Sequence, residues 1–360
     1  MKTVLVKVLG LIGSSLIRGI KINHPEYKII GLDENQRTIQ YALNHGLIDE
    51  AATDLTNSSE ADFIILATPV SQIIIDIAQL SKLDLKKDVV VTDVGSTKQL
   101  IMKTARKLDS KHITFVGGHP MAGSHKTGVT AGKANLFENA FYFQISGKNT
   151  EAAQKIQKLL VGTKAKWLKV NAKQHDKIVA QISHLPHIIA AGLVNQTNQE
   201  FSNEPLGMEL AAGGFKSITR IASADPVMWK SILLSNQEII LQQLKIYQET
   251  LNKLAAHLKN RDEEEVESFF ATAKFNRDKL KQQKHSQTGF FDLFLDIPDQ
   301  RGELAKITKQ LAEHKISLVN IHILEIREDV EGILQLTFSN ETDLNKARML
   351  LSSSYKIVRR

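Results

Sequence analysis

Four groups of residues carry side chains suited to moving a proton and holding an anion. The segment "GGHPMAGSHKTG", residues 117–128, holds His119 and His125. An imidazole titrates near working pH, so a histidine beside a reacting hydroxyl is a natural proton acceptor. "DVGSTK", residues 93–98, offers Ser96 as a hydrogen-bond donor and Lys98 as an anion anchor. In "SHLPH", residues 183–187, His184 and His187 are three apart and share a helix face if the helix survives Pro186. "AAGGFKSITRIASADPVMW", residues 211–229, carries Lys216 and Arg220 into a segment that otherwise reads as buried. A guanidinium there suits a carboxylate substrate, which it grips through two parallel hydrogen bonds. No H-E-x-x-H pattern or third ligand accompanies the histidines, so no metal is expected.

A fifth group points to a nucleotide. "VLVKVLGLIGSSL", residues 4–16, is an apolar strand running into a glycine turn and a helix. The dinucleotide fingerprint is G-x-G-x-x-G, whose helix N-terminus receives the pyrophosphate. Gly10 and Gly13 fill its second and third glycine positions, with Leu11 and Ile12 between them, but Val8 holds the first. Asp33 follows Gly13 by twenty residues at the end of the second strand. A carboxylate there binds ribose hydroxyls and repels a 2′-phosphate, which favours NAD over NADP. Val8 crowds the turn, and Lys7 puts a charge at the end of a buried strand; the expectation is a weakened NAD site or a locally rearranged turn.

The elements that must position these groups follow from periodicity. Residues 1–170 alternate β-rich runs such as "TVLVKVL", "YKIIGLD", "DFIILAT" and "DVVVTDV" with helical stretches, which predicts βαβ units and a mostly parallel sheet. Strand signals then vanish, and long apolar helical patterns over 171–284 predict a helical bundle that buries a partner subunit. One of them opens on the acidic cluster "DEEEVE". "KQQKHSQTG" reads as a polar linker. Residues 288–360 follow as a βαββαβ module.

Composition sets the outer bounds. The 360 residues are 42% hydrophobic and 24% charged, ordinary for a globular chain of two or three domains. The net charge of +7 is scattered, without the basic stripe of a nucleic-acid surface, and suits anionic small substrates. There is no cysteine, so disulfides and thiolate chemistry are excluded. No uninterrupted apolar run of about 18 residues is present. The N-terminus enters a strand without a cleavage site, so no secretory leader is expected and the cytoplasm is the expected compartment.

Taken together, "GLIGSSL", "ATPV", "DVGSTK", "GGHPMAGSHKTGV", "NLFENAFYF", "HDKIVAQISHLPH" and "AAGGFKSITRIASADPVMWKSILLSN" resemble the prephenate dehydrogenases of tyrosine biosynthesis over roughly residues 1–285. The tail "DIPDQRGELAKITKQLAEHKISLVNIHILEIRE" is similar to an ACT domain. The resemblance implies a Rossmann-type α/β domain, an all-α helical dimerisation domain and a C-terminal α+β ferredoxin-like ACT domain. It implies a homodimer that converts prephenate and NAD to 4-hydroxyphenylpyruvate, carbon dioxide and NADH. By motif, His119 matches the histidine on the C4 hydroxyl, and Ser96 the serine that orients that hydroxyl and the nicotinamide. His187 and Arg220 match substrate-binding residues, with His184 in support. In the tail, Asp299, Gly302, Leu304 and Asn320 match positions that line an effector site, with tyrosine the expected effector. Arogenate is the alternative substrate. An amino-acid sensor with a degenerate Rossmann domain is the non-enzymatic alternative.

Overall fold

The computed structural model describes residues 1–360 except 112, 124–125, 148, 205, 288–290, 299, 325–331 and 359–360. The chain divides into two units, Met1–Leu251 and Asn252–Arg360.

The first unit is built on an eight-stranded sheet. Its strands are β1 (Thr3–Lys7), β2 (Lys28–Leu32), β3 (Glu50–Ala51), β4 (Phe63–Leu66), β5 (Val90–Asp93), β6 (Thr114–Pro120), β7 (Phe141–Ile145) and β8 (Lys166–Lys169). They lie in the order β3-β2-β1-β4-β5-β6-β7-β8. Every pair is parallel except β6–β7. The alternation of side chains along a strand explains the burial. Val4 and Val6 of β1 join Phe63 and Ile65 of β4 and the helix residues Leu16, Ile17 and Ile20 in one core layer. Leu5, Ile64 and Leu66 join Ile73, Ile77 and Val91 in the other. Both faces are covered, as the continuous apolar runs predict.

Beyond β8 the chain is helical as far as Gln287, apart from short connections. The stretch Ala172–Glu200 is long and apolar enough by composition to cross a bilayer. It is also the stretch that carries His175, Asp176, His184 and His187. The acidic cluster does open a helix, Glu263–Gln287. That helix overturns the linker reading, because it runs on through residues 281–287. Lysine and glutamine are good helix formers, and polarity alone does not end a helix.

Four further strands occur in the second unit: β9 (Phe291–Ile297), β10 (Asn320–Leu324), β11 (Gly332–Phe338) and β12 (Lys356–Ile357), in the order β10-β11-β9-β12, all antiparallel. Leu293, Leu295 and Ile297 alternate along β9 and meet Leu334, Leu336 and Phe338 of β11. Ile307 and Leu311 of one helix and Leu344, Ala347 and Leu351 of another cover them.

Candidate active site

The order of β2, β1 and β4 reverses the winding of the sheet at β1. Ligands of open α/β sheets sit outside the carboxyl ends of the strands at such a point. A crevice of about 830 Å³ opens there, lined by Lys7, Val8, Asp33, Glu34 and Thr68 among others. The helix Leu11–Asn23 starts at Gly10, and no side chain caps it. A Cβ on Gly13 would stand 2.1 Å from the Val8 carbonyl oxygen, so only glycine lets this helix sit so close to the turn. Asp33 accepts hydrogen bonds from the Leu9 amide at 2.8 Å and the Asn35 amide at 2.9 Å. These bonds leave lone pairs on a carboxylate that borders the crevice. An uncapped helix start, a glycine cradle and an acid at the end of β2 fit a dinucleotide.

Val8 has φ +70°, the left-handed region that glycine occupies without penalty. The turn therefore keeps the course of a glycine turn with a β-branched residue forced into it. Its amide still donates to the Leu32 carbonyl at 2.7 Å. A residue so placed costs about 1–2 kcal/mol. Val8→Gly should relieve that strain and tighten NAD binding; calorimetric titration of both proteins checks it, and equal affinities contradict it. Lys7, unexpected at a strand end, meets a buried carboxylate: its Nζ lies 2.6 Å from Asp76 Oδ1. Asp76 also accepts from Thr68 Oγ1 and Gln72 Nε2.

Past β5 the chemistry concentrates. Ser96 lies half-buried just beyond the end of the strand. Lys98 is not an anion anchor. It is fully buried, and its Nζ is paired with the equally buried Asp93. Asp93 also accepts from the amides of Gly95 and Gly118. The residue before His119 is thus tied to the end of β5. His119 itself lies within β6 and not in the loop after it, opposite Phe143 on β7.

Behind His119 stands a residue the motif reading passed over. His119 Nδ1 lies 2.8 Å from Nε2 of the fully buried His175. His175 Nδ1 lies 2.7 Å from Asp176 Oδ1. Asp176 in turn accepts from the Lys98 and Gln99 amides at 2.7 and 2.8 Å, at the start of the helix Gln99–Ala105. Phe143 packs edge-on against His175 and lies 6.3 Å from the His119 ring. The signal for His175 and Asp176 was periodic: they share a face with Val179 and Ala180, and all four are buried.

The helix does survive Pro186. Ala180–His184 forms a π-turn, and an α-helix continues from Leu185. Such turns mark functional sites often, and this one absorbs the proline. His184 is buried beside Asn236, and His187 is half-buried with Nδ1 2.8 Å from the Ser183 carbonyl oxygen. Both rings meet Trp229: His184 edge-on at 5.9 Å, His187 stacked at 3.9 Å. Arg220 closes the helix Gly213–Thr219, near enough to His187 to disfavour its protonation. Lys216 and Arg220 are exposed in the single chain, contrary to the buried setting expected of them. On the surrounding helices and their connections, Leu206, Leu210, Ile218, Val227 and Leu234 are each at least 60% exposed in the single chain.

Burial sets the charge states. It holds the His119 pKa well below the ordinary 6.5, with His175, Lys98 and His184 adding to the effect. His175 is lowered chiefly by burial, against the pull of Asp176. Burial pushes His184 down to about 4. A base with a folded pKa below its unfolded one binds fewer protons when folded. Its contribution to stability is full above about pH 6.5 and drains as pH falls toward 4. For His184 alone the loss is on the order of 2–3 kcal/mol. Urea unfolding between pH 7 and 4.5 should show the drop, and His184→Gln should reduce it by the share of His184, leaving that of His119 and His175.

Comparison with known proteins now places the chain. Residues 16–169 match the nucleotide-binding domain of prephenate dehydrogenase, and residues 171–272 its dimerization domain. The prephenate dehydrogenase of Bacillus subtilis is 41% identical over 355 residues, 98% of this chain and 96% of that protein. The chain belongs to the prephenate dehydrogenase family. The crystal structure of the A. aeolicus prephenate dehydrogenase, in complex with hydroxyphenyl propionate and NAD+, is 30% identical with a TM-score of 0.71, covering 78% of this chain and 98% of that one. Synechocystis arogenate dehydrogenase is 30% identical with a TM-score of 0.67, over 77% and 99%. The exposed apolar helices described above fall in the dimerization domain of this family. Of the expected effector residues, Asp299 lies outside the described residues, as does His125 of the substrate motif. Gly302 has φ +93° and starts the helix Glu303–Glu313, Leu304 is exposed, and Asn320 opens β10.

Proposed function

We propose that this enzyme oxidatively decarboxylates prephenate to 4-hydroxyphenylpyruvate in tyrosine biosynthesis, with NAD as its cofactor. The observation that carries the reading is a neutral, half-buried His119 at the carboxyl end of the sheet, in a chain similar to prephenate dehydrogenases along nearly its whole length. Gly10, Leu11, Ile12 and Gly13 would hold the pyrophosphate of NAD, and Asp33 the adenosine ribose; NAD, when bound, would supply the hydride acceptor. His119 withdraws the proton of the C4 hydroxyl as hydride leaves the same carbon. The ring carboxylate departs as carbon dioxide, its bonding electrons complete the aromatic ring, and the phenolate oxygen left at C4 takes a proton back from His119 to give the product hydroxyl. Ser96 orients the hydroxyl. Arg220 and His187 hold a substrate carboxylate, and His184 supports His187 through Trp229. NADH formation with prephenate, run in parallel with arogenate, tests this. No NADH with prephenate overturns it, and turnover of arogenate alone moves the assignment to that substrate.

The domains on this reading are 1–170 for NAD, 171–284 for substrate and dimerisation, and 288–360 for regulation. The working form is a homodimer in the cytoplasm. The C-terminal module takes the role of a ferredoxin-like ACT domain that binds tyrosine. Its βαββαβ order and the left-handed Gly302 at a helix start support the assignment. Tyrosine should slow turnover, and Gly302→Val, which strains that backbone, should blunt the effect. A rate indifferent to tyrosine contradicts the regulatory role.

A further inference from the structure

The chain of contacts behind His119 has a direction, fixed at its far end. An ionised carboxylate only accepts hydrogen bonds. Asp176 is surrounded by donors, the Lys98 and Gln99 amides, so its bond to His175 must run from His175 Nδ1–H. A neutral imidazole with its proton on Nδ1 presents Nε2 as an acceptor. The partner of that atom is His119 Nδ1, at 2.8 Å. His119 Nδ1 must therefore be the protonated nitrogen, and the lone pair falls on His119 Nε2. A second arrangement would make His175 an imidazolium that donates from both nitrogens. It would place another positive charge in a fully buried position beside the ammonium of Lys98. Among the described residues Asp93 and Asp176 offset charge there, and each is already bonded to two backbone amides.

We propose that His175 and Asp176 are positioning residues that hold His119 in its Nδ1–H tautomer, so that Nε2 is the atom that takes the substrate proton. Free imidazole side chains favour the opposite tautomer, so an unsupported His119 would present a proton where a lone pair is needed. When Nε2 takes the C4 hydroxyl proton, His119 becomes an imidazolium. Its Nδ1–H then donates more strongly to His175, with the Asp176 carboxylate one ring away. No proton need leave Nδ1, and the positive charge is lost when Nε2 releases its proton after the reaction. Phe143 fixes both rings in place: edge-on to His175, and opposite His119 on the neighbouring strand.

The inference rests on His119 as the proton acceptor, but its decisive readout needs no turnover. In the full-length enzyme with 15N-labelled histidine, the His119 signals are identified by their loss in His119→Asn. The wild-type spectrum should show His119 protonated at Nδ1 and bare at Nε2. His175→Phe should move the proton to Nε2 and lower kcat about 10- to 100-fold, with NAD affinity and the KM for prephenate within twofold. In His175→Gln the amide oxygen can still accept from His119 Nδ1. This variant should keep the Nδ1–H tautomer and recover at least a third of the lost kcat on a logarithmic scale. A wild-type His119 bearing its proton on Nε2 overturns the proposal, and that measurement holds even if the phenylalanine variant does not fold. A phenylalanine variant with unchanged kcat also overturns it. If instead His119→Asn turns over normally, the acceptor role fails while the tautomer assignment stands.

Discussion

His119→Asn should lower kcat by about 100- to 10,000-fold and leave NAD affinity within twofold. The asparagine amide is close in size to the imidazole and keeps a polar group at the end of β6. It cannot take a proton at neutral pH, so the C4 hydroxyl loses its acceptor. The crevice proposed for the cofactor opens beyond β1 and β2, and none of its described lining residues is His119. Stopped-flow measurement of NADH formation and a separate NAD titration distinguish the two effects. Unchanged turnover would exclude His119 as the acceptor. The wild-type pH profile bears on the same point. Burial keeps the His119 pKa well below 6.5, so the base is neutral throughout the neutral range. The acid limb of kcat should therefore fall below pH 6.5 and disappear in the asparagine variant.

Lys98→Met should destabilise the protein by about 3–5 kcal/mol, read as a lower urea midpoint with little change in slope. Methionine fills a similar volume, so packing is not the cause. The cause is Asp93. Both partners have no solvent exposure, and removing the ammonium leaves a carboxylate in a dry interior whose remaining hydrogen bonds, among the described residues, come from the Gly95 and Gly118 amides. A loss below about 1 kcal/mol would show that those two amides alone suffice. Activity should fall as well, because Gly118 is the residue that ties His119 to β5.

Some of this architecture could be read directly from the residue order. Gly13, Asp33 and the apolar runs of β1, β4 and β5 reveal the nucleotide half because their signals are local: a turn, an offset and a periodicity. His119 and the "SHLPH" pair stood out because histidines near glycine or proline are conspicuous. Lys98 misleads because a lysine two residues after a serine at a strand end looks like an anchor for an anion. Its true partner, five residues earlier, becomes visible only when β5 ends and the next helix starts in a fixed geometry. His175 escaped for a similar reason. Its contact to His119 joins residues 56 apart, and nothing in "KQHDKIV" announces which partner it meets. Only the burial stripe shared with Val179 and Ala180 hinted that this His-Asp pair faces inward. The strain at Val8 was legible as a departure from the fingerprint, but not its form. The turn could have opened, and instead it kept its course with a positive φ.

Asp176 has a further consequence through what it touches. One carboxylate, carried by the first helix after the sheet domain, both orders the histidine pair and closes the start of a helix within that domain. The histidine pair is thus wired as an interlock. If the Ala172–Val179 helix lifts away, the proposed proton acceptor loses its setting, while Gly10, Gly13 and Asp33, held within the sheet domain, keep theirs. Mild heating or low urea should therefore silence turnover before it releases NAD.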